Sequence, residues 1–253
     1  MSFTGERGGK MSALNKHKLA ARMALEAYND NPKIPGHGVT TFSVGNTQGF
    51  MAVKGLDLWI AFAGTNEPRD WITNLDAAKI DGYADGSKIH KGFNNALSSV
   101  WTAIMPVLCS REWDNIYIVG HSLGGALASL LASRLLGNKH TNKIINLITF
   151  GAPRCGDATW ALVMDTVFPP GVCSTRFVRA GDIVPHVPSV TRWRHAGQEI
   201  FFDESGKVVP NSWHRQLVGA ARILLTRRES WTNSAVLDAH NMYNYFLNVE
   251  MLK

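Results

Sequence analysis

The most informative stretch of the sequence is Ile-Tyr-Ile-Val-Gly-His-Ser-Leu-Gly-Gly-Ala, residues 116–126. Its first four residues, Ile116–Val119, form a short apolar run typical of a buried strand. A helix that is apolar nearly all round is predicted to follow, from Leu123 to Leu136. Between the two lies Gly-x-Ser-x-Gly, a weak signal alone, but a strand before it and a helix after it are the setting that a nucleophile elbow at Ser122 requires.

The glycines of this motif, Gly120 and Gly124, have a steric explanation. A nucleophile elbow holds its serine in a strained backbone conformation while strand and helix approach closely, which leaves no room for Cβ atoms two residues away. The unpaired N–H groups and the dipole at the start of the helix favour negative charge that develops beside Ser122. The alternative interpretation is an ordinary glycine-rich turn into a buried helix.

Strand and helix patterns alternate outward from this motif. The sequence predicts strands at Val39–Val44, Gly49–Lys54, Leu58–Ala63, Ile116–Val119, Ile145–Phe150, Thr175–Val178, Gln198–Phe202 and Lys207–Val209. It predicts helices at Lys16–Tyr28, Gly92–Cys109, Leu123–Leu136, Trp213–Leu225 and Val236–Leu247. This alternation predicts an α/β fold with a mostly parallel central sheet and helices on both faces. Because no repeat or Pro/Ser-rich linker interrupts it, we expect a single domain over residues 13–253 after a flexible tail at 1–12.

Composition excludes several classes of protein. The chain has 253 residues, of which 45% are hydrophobic and 18% charged, so it is neither disordered nor collagen-like. No stretch approaches the roughly 20 apolar residues that a transmembrane helix needs. Its three cysteines, Cys109, Cys155 and Cys173, have no metal-binding or redox spacing, and we expect no metal and no cofactor.

The formal net charge of +6 raises the alternative of a nucleic-acid-binding protein. No nucleic-acid motif accompanies the basic residues, so we expect a solvated basic face and no nucleic-acid partner. The first 18 residues lack the apolar core of a signal peptide, which predicts a cytoplasmic protein as written, or a secreted one if a leader has been removed.

A serine nucleophile needs a base and an acid that orients it. His121 is excluded as the base, because a residue adjacent in a tight turn points away from the Ser122 side chain. The histidines that follow at useful distance are His186, His195, His214 and His240. His240, predicted at the start of the last helix, is the favoured base, and Asp182, directly after the strand around Phe177, is the favoured acid. Asp165 and Asp203 are the rival acids.

Six blocks of the sequence, in the correct order, resemble the class 3 (fungal-type) lipase family of the α/β-hydrolase superfamily. The resemblance runs from about Val53 to Phe246. The blocks are residues 64–65 with 70–76, 89–93, 120–126, 149–154, 182–185 and 238–243.

The resemblance implies roles for individual residues. Ser122 would be the nucleophile, His240 the general base and then acid, and Asp182 the residue that orients His240. The backbone N–H groups of Leu123 and Thr65 would form the oxyanion hole. The sequence departs from the family at Ala63, where a basic residue is usual, which puts the local polar packing in doubt but not backbone donation by Thr65.

Residues 66–78 would correspond to the family's lid, with Trp71, Ile72 and Leu75 on its apolar side. An amphipathic segment of this kind can cover the site in water and turn outward at a lipid surface. A fixed surface helix with a buried Trp71 is the equal alternative.

The function implied is hydrolysis of carboxylic esters by a lipase that acts on acylglycerols. The alternatives are a carboxylesterase of short or aromatic (feruloyl-type) esters, a phospholipase A1, and a catalytically silent binding scaffold of the same fold. The expected partner is a lipid or small ester substrate, met at a lipid–water interface if the lid moves.

Overall fold

An eight-stranded sheet runs through the computed structural model, which describes residues 11–65, 78–84, 86–137, 144–168, 170–210 and 238–253. Along the chain the strands are β1 (Gly38–Val44), β2 (Thr47–Lys54), β3 (Asp57–Phe62), β4 (Lys79–Asp81), β5 (Lys88–His90), β6 (Asn115–His121), β7 (Ile144–Phe150), β8 (Ser174–Arg179), β9 (Gln198–Phe202) and β10 (Val208–Val209). The spatial order in the large sheet is β1-β2-β3-β6-β7-β8-β9-β10, and β4 pairs with β5 in a separate hairpin.

The middle of the large sheet is parallel. Strands β3, β6, β7, β8 and β9 pair in parallel with their neighbours, whereas β1, β2 and β10 are attached antiparallel at the two edges. The predicted mostly parallel sheet is therefore confirmed. Because parallel strands point the same way, the residues that follow β3, β6 and β8 meet at one edge.

Strands β3, β6 and β7 supply side chains to two separate hydrophobic cores, one on each face of the sheet. Strand β3 shows this alternation most clearly, since neighbouring residues enter different cores. Leu58, Ile60 and Phe62 belong to the first core, and Trp59, Ala61 and Ala63 to the second.

Helices cover both faces, as predicted. They are α1 (Ala13–Glu26), α2 (Lys91–Ser99), α3 (Trp101–Leu108), α4 (Leu123–Gly137), α5 (Ala158–Val167) and α6 (Met242–Glu250). Buried side chains of α2, α4 and α5 lie in the first core, and those of α1 and α6 lie in the second. Helices α1 and α6 also pack against each other, although they come from distant parts of the sequence.

The predicted helix Gly92–Cys109 is wrong in one respect, because it is two helices that meet at Val100. The Ser99 hydroxyl donates to the Ala96 carbonyl at 2.7 Å, which is the acceptor that the Val100 N–H would use in a continuous helix. The Val100 N–H bonds to Leu97 instead, at 3.3 Å. A side chain that competes for a backbone acceptor thus ends α2, and apolar periodicity alone carries no sign of it.

Other differences concern short or capped elements. Helix α5 was not predicted, although the Asp157 carboxylate caps it by accepting from the Trp160 N–H at 2.9 Å. The β4–β5 hairpin was also missed, because three-residue strands have almost no periodicity. The last helix begins at Met242, after His240 rather than around it, and continues to Glu250. The predicted helix Trp213–Leu225 lies outside the described residues.

Within the described ranges, every helix is too short or too polar to cross a bilayer.

Candidate active site

Ser122 lies on a sharp turn between β6 and α4. Its φ is +56°, and among the described residues it is the only one other than glycine with a positive φ. That conformation costs about 1 kcal/mol for a residue with a Cβ, and backbone hydrogen bonds hold it. The Ser122 N–H donates to the Phe150 carbonyl at 3.0 Å, and its carbonyl accepts from the Gly125 N–H at 2.9 Å. The structure therefore has the strand, turn and helix expected of a nucleophile elbow.

The glycines around Ser122 allow this close approach. A Cβ at Gly124 would lie 2.6 Å from the Ala63 carbonyl oxygen, and one at Gly125 would lie 2.6 Å from the Ala152 Cβ. A Cβ at Gly120 would overlap the Gly124 backbone. The steric explanation given from the sequence therefore applies, and an unspecialised glycine-rich turn does not describe this geometry.

The side chains of Ser122, His240 and Asp182 form one buried hydrogen-bonded chain. His240 Nε2 lies 2.8 Å from Ser122 Oγ, and His240 Nδ1 lies 2.9 and 3.0 Å from the two Asp182 carboxylate oxygens. Because a carboxylate only accepts, Nδ1 carries the ring hydrogen and Nε2 is left to accept from the serine hydroxyl. This arrangement can remove a proton from Ser122 as its oxygen attacks a carbonyl carbon.

Asp182 is held from three directions. Its side chain is fully buried, and besides His240 it accepts from the Val184 N–H at 2.9 Å and from the Tyr245 hydroxyl at 2.6 Å. The Tyr245 hydroxyl in turn accepts from the Arg179 N–H at 3.0 Å. Burial, followed by the nearby Asp182 charge, raises the pKa of Tyr245 well above its usual value, so the hydroxyl keeps its proton and donates.

Local structure brings each of these residues to the same edge of the sheet. Asp182 comes three residues after β8, in a turn closed by its own N–H and the Arg179 carbonyl at 3.2 Å. His240 precedes Asn241, whose side chain caps α6 by accepting from the Tyr243 N–H at 2.8 Å. The cap fixes where the helix starts and therefore where His240 lies.

The rival acids have other roles. Asp165 accepts from the Gly197 N–H at 2.6 Å, and Asp203 closes an exposed turn by accepting from the Ser205 and Lys207 N–H groups. Among the other candidate bases, His195 bonds through Nε2 to the Pro185 carbonyl at 2.7 Å. His214 lies outside the described residues.

The predicted oxyanion donors flank Ser122. Leu123 is the first residue of α4, where backbone N–H groups have no partner within the helix. Thr65 follows Gly64, and a Cβ at Gly64 would lie 2.9 Å from the Ser122 Cβ, so this part of the chain passes directly beside the nucleophile. The predicted lid residues Trp71, Ile72 and Leu75 lie outside the described residues.

Two tyrosines and one histidine of the site were not identified from the sequence. Tyr245 lies on α6 and reaches Asp182, and its position five residues after His240 was the available signal. His121 was considered only as a base. Its ring instead bonds to the Tyr28 hydroxyl and to the His240 carbonyl. Nothing in the sequence near Tyr28 indicates a place beside Ser122.

No group of three or more His, Cys, Asp or Glu side chains suited to a metal ion occurs in the part of the chain that the structure describes.

Comparison with known proteins identifies relatives. Residues 59–192 match the family described as Lipase (class 3). A lipase from Rhizopus niveus is 31% identical over 168 residues, which make up 60% of this chain and 41% of that protein. The chain therefore spans less than half the length of that relative.

Solved structures of lipases superimpose on this chain. A lipase from Rhizopus microsporus var. chinensis superimposes with a TM-score of 0.65 at 26% identity, over 78% of each chain. A triacylglycerol lipase whose catalytic centre is a serine-protease triad superimposes with a TM-score of 0.70 over 92% of this chain and 95% of its own. At 22% identity the second likeness concerns the fold alone.

The family match covers more than half of the 253 residues and runs from β3 through Ser122 to Asp182 and beyond. The chain has the α/β-hydrolase fold and belongs to the class 3 lipase family.

Proposed function

We propose that the protein hydrolyses carboxylic esters of lipids, with acylglycerols as the substrate class, through an acyl-enzyme on Ser122. One observation carries the proposal: Ser122 Oγ, the His240 ring and the Asp182 carboxylate are joined by hydrogen bonds of 2.8–3.0 Å in a buried site. A binding scaffold has no physical need for this arrangement on a strained turn, because the strain costs stability without adding contacts.

The first half of the reaction forms the acyl-enzyme. Ser122 Oγ attacks the ester carbonyl carbon while its proton passes to His240 Nε2. The resulting imidazolium is stabilised by the Asp182 carboxylate, 2.9 Å from Nδ1. When the tetrahedral intermediate collapses, the C–O bond to the alcohol breaks and His240 Nε2 returns the proton to the departing alkoxide.

The second half releases the acid. A water molecule gives a proton to His240 Nε2 as its oxygen attacks the acyl carbon, and the bond to Ser122 Oγ then breaks. Ser122 takes back the proton from His240, so the enzyme returns to its starting state. The products are a carboxylic acid and an alcohol, with one water consumed.

Both halves place a negative charge on the former carbonyl oxygen. We assign its stabilisation to the backbone N–H of Leu123, at the positive end of α4, and to that of Thr65. Removal of one such donor typically costs about 3 kcal/mol of transition-state stabilisation.

The lipid substrate class rests on the relatives. The similar proteins from two Rhizopus species are named lipases. Trp71, Ile72 and Leu75 give the segment after Thr65 the apolar side chains that contact with a lipid surface would use.

The proposal predicts that Ser122→Ala lowers kcat on p-nitrophenyl butyrate by roughly 10⁴–10⁶-fold, since the acyl-enzyme can no longer form. The matched control is Ser129→Ala, which removes a hydroxyl that is also buried and that donates to the Gly125 carbonyl at 2.8 Å within α4. The control is expected to stay within severalfold of wild type. Hydrolysis by purified, folded Ser122→Ala at the wild-type rate contradicts the mechanism.

The substrate class is tested on the same preparations. Rates are compared on p-nitrophenyl esters of increasing chain length and on an emulsified triacylglycerol. An acylglycerol lipase releases fatty acid from the emulsion, and its rate rises when the ester exceeds its solubility. Activity confined to short soluble esters points instead to a carboxylesterase.

A further inference from the structure

Tyr28 reaches the site from outside the segment that matches the family. It lies just beyond the end of α1, whose C-cap is Ala27, and the family match begins only at Trp59. Its hydroxyl lies 2.6 Å from Nδ1 of His121, the residue that directly precedes the nucleophile Ser122. Helix α1 is fixed on this face of the sheet, because its buried alanines and Met23 belong to the second core.

The proton positions in this contact follow from the partners. His121 Nε2 lies 2.7 Å from the backbone carbonyl of His240, and a carbonyl only accepts, so Nε2 carries the hydrogen. His121 is buried beside the His240 ring, and burial lowers its pKa well below the usual value, which keeps the ring neutral. A neutral ring with hydrogen on Nε2 accepts at Nδ1, so the Tyr28 hydroxyl is the donor there.

The same hydroxyl contacts the opposite wall of the site. It lies against the backbone of Gly64. A Cβ at Gly64 would overlap the Tyr28 oxygen and would lie 2.9 Å from the Ser122 Cβ. The Tyr28 hydroxyl and Ser122 therefore leave no room for a side chain at residue 64.

We propose that Tyr28 and His121 are positioning residues that link the oxyanion loop, the segment Gly64–Thr65, to the general base His240 across the nucleophile. The link begins with the packing of the Gly64 backbone against the Tyr28 oxygen. It continues through the hydrogen bond from the Tyr28 hydroxyl to His121 Nδ1 and ends with the bond from His121 Nε2–H to the His240 carbonyl. The inference rests on the proposed hydrolase function. It adds two residues whose side chains act on the reaction only through other groups.

The physical effect is on geometry. Gly64 directly precedes Thr65, whose N–H is an assigned oxyanion donor, so the anchor at Gly64 orients the next peptide. The bond to the His240 carbonyl fixes the backbone that carries the base. A donor or base displaced by about 1 Å can cost up to 100-fold in rate, and the loss falls on kcat because these contacts tighten in the transition state.

The test is Tyr28→Phe, which removes only the hydroxyl. We expect kcat on p-nitrophenyl butyrate to fall about tenfold per active site, counted by stoichiometric labelling with a phosphonate ester, while KM stays within twofold. Counting sites separates positioning from stability, because a variant that is only less stable has fewer active molecules with a normal kcat. An unchanged kcat per labelled site overturns the proposal.

The control is Tyr117→Phe. Tyr117 is buried on β6, five residues before Ser122, and stacks on Trp59 with ring centroids 4.0 Å apart. Loss of its hydroxyl is expected to leave kcat within twofold of wild type. A tenfold loss in this variant as well would show that any buried tyrosine of the sheet has the same effect, and would overturn the specific role of Tyr28.

A second variant tests the link itself. His121→Gln keeps an amide donor that can reach the His240 carbonyl, but it has no acceptor atom at the position of the Nδ1 that accepts from Tyr28. The proposal predicts that Tyr28→Phe lowers kcat less in the His121→Gln background than in wild type, because part of the link is already broken. If the fold losses in kcat of the two single variants simply multiply in the double variant, the two residues act independently and the link is overturned. If Ser122→Ala also hydrolyses the ester, the failure lies in the proposed function and not in the positioning residues.

Discussion

Asp182 is a buried carboxylate whose hydrogen bonds allow it to orient the His240 ring. It sits in a site without solvent contact, yet each of its oxygens is paired, with the Val184 N–H on one side and the Tyr245 hydroxyl on the other. With this many donors around it, the carboxylate is held in a fixed direction. The His240 ring between its oxygens and Ser122 is oriented as a consequence.

Tyr245→Phe tests that account. The substitution leaves an Asp182 oxygen and the Arg179 N–H without the hydroxyl that each of them contacts. We expect the free energy of unfolding to fall by about 1–3 kcal/mol and kcat to fall by about tenfold, because the carboxylate orients His240 less well. Urea unfolding and ester hydrolysis measure the two effects, with Tyr117→Phe as the reference. A variant with wild-type kcat would show that two donors suffice to orient Asp182.

Some residues of the site can be predicted from the sequence and others cannot. Ser122, Asp182 and His240 could be named because chain order, position after a strand and motif all constrain them. Tyr28 and His121 could not, because a hydrogen bond between residues 93 positions apart depends on the packing of α1 against the sheet. The catalytic roles themselves remain predictions until the variants are measured.

At the scale of elements, the packing of β6, α4 and the end of β3 determines how closely the start of α4 can approach the segment that follows β3. Gly124, the second residue of α4, is pressed against the backbone of Ala63. Contact between backbones leaves no flexible side chain that could move aside. The distance between the helix start and the oxyanion loop is therefore set by the absence of a Cβ.

Gly124→Ala is expected to cost about 3 kcal/mol or more of unfolding free energy, because the added Cβ would lie 2.6 Å from the Ala63 oxygen. The control is Gly45→Ala, where a Cβ meets nothing within 4 Å and only the φ of +58° is unfavourable. That control should cost about 1 kcal/mol. Equal losses in urea unfolding for the two variants would contradict the steric account.

Element boundaries show what periodicity can and cannot predict. The long apolar strands and α4 were identified because their patterns extend over many residues. The break at Val100 and the start of α5 depend on single side chains, the Ser99 hydroxyl and the Asp157 carboxylate. Such local bonds override or create an element without changing the pattern of apolar residues.

At the scale of the whole molecule, histidines that are partly or fully buried make stability depend on pH. Burial is the largest cause of a lowered pKa at His17, His121, His186 and His195. In the unfolded chain these rings take up protons near pH 6.5. Folding therefore excludes protons, and stability is lost as the pH falls below about 6.5 toward the folded values.

His17 gives the sharpest test, since burial and Lys16 lower its pKa to about 4. His17→Phe keeps an aromatic ring against Phe177, whose ring centroid lies 5.2 Å from that of His17. We expect the variant to lose less stability than wild type between pH 7 and pH 4, by about 1–2 kcal/mol after allowance for partial exposure. Urea unfolding at pH 7, 5.5 and 4 provides the comparison. Parallel pH dependences for the two proteins would contradict a neutral, partly buried His17.

The fold class could be predicted from the sequence because alternation of strands and helices, with one elbow, leaves few arrangements for a parallel sheet. Segments without such a pattern, the β4–β5 hairpin above all, are fixed by contacts with distant parts of the chain, such as the bridge between Ile89 and Gly156. The boundaries predicted for the domain, 13–253, stay a prediction.

The meeting of α1 and α6 has a consequence for the order of events during synthesis. Ser122 and its hydrogen-bond partner His240 are separated by 118 residues. At 5–20 residues per second, the ribosome adds His240 roughly 6–24 s after the serine. Strands β3 and β6 can already be paired at that time, yet the nucleophile has no base to activate it. The growing chain therefore has no base to activate Ser122 until α6 docks against α1.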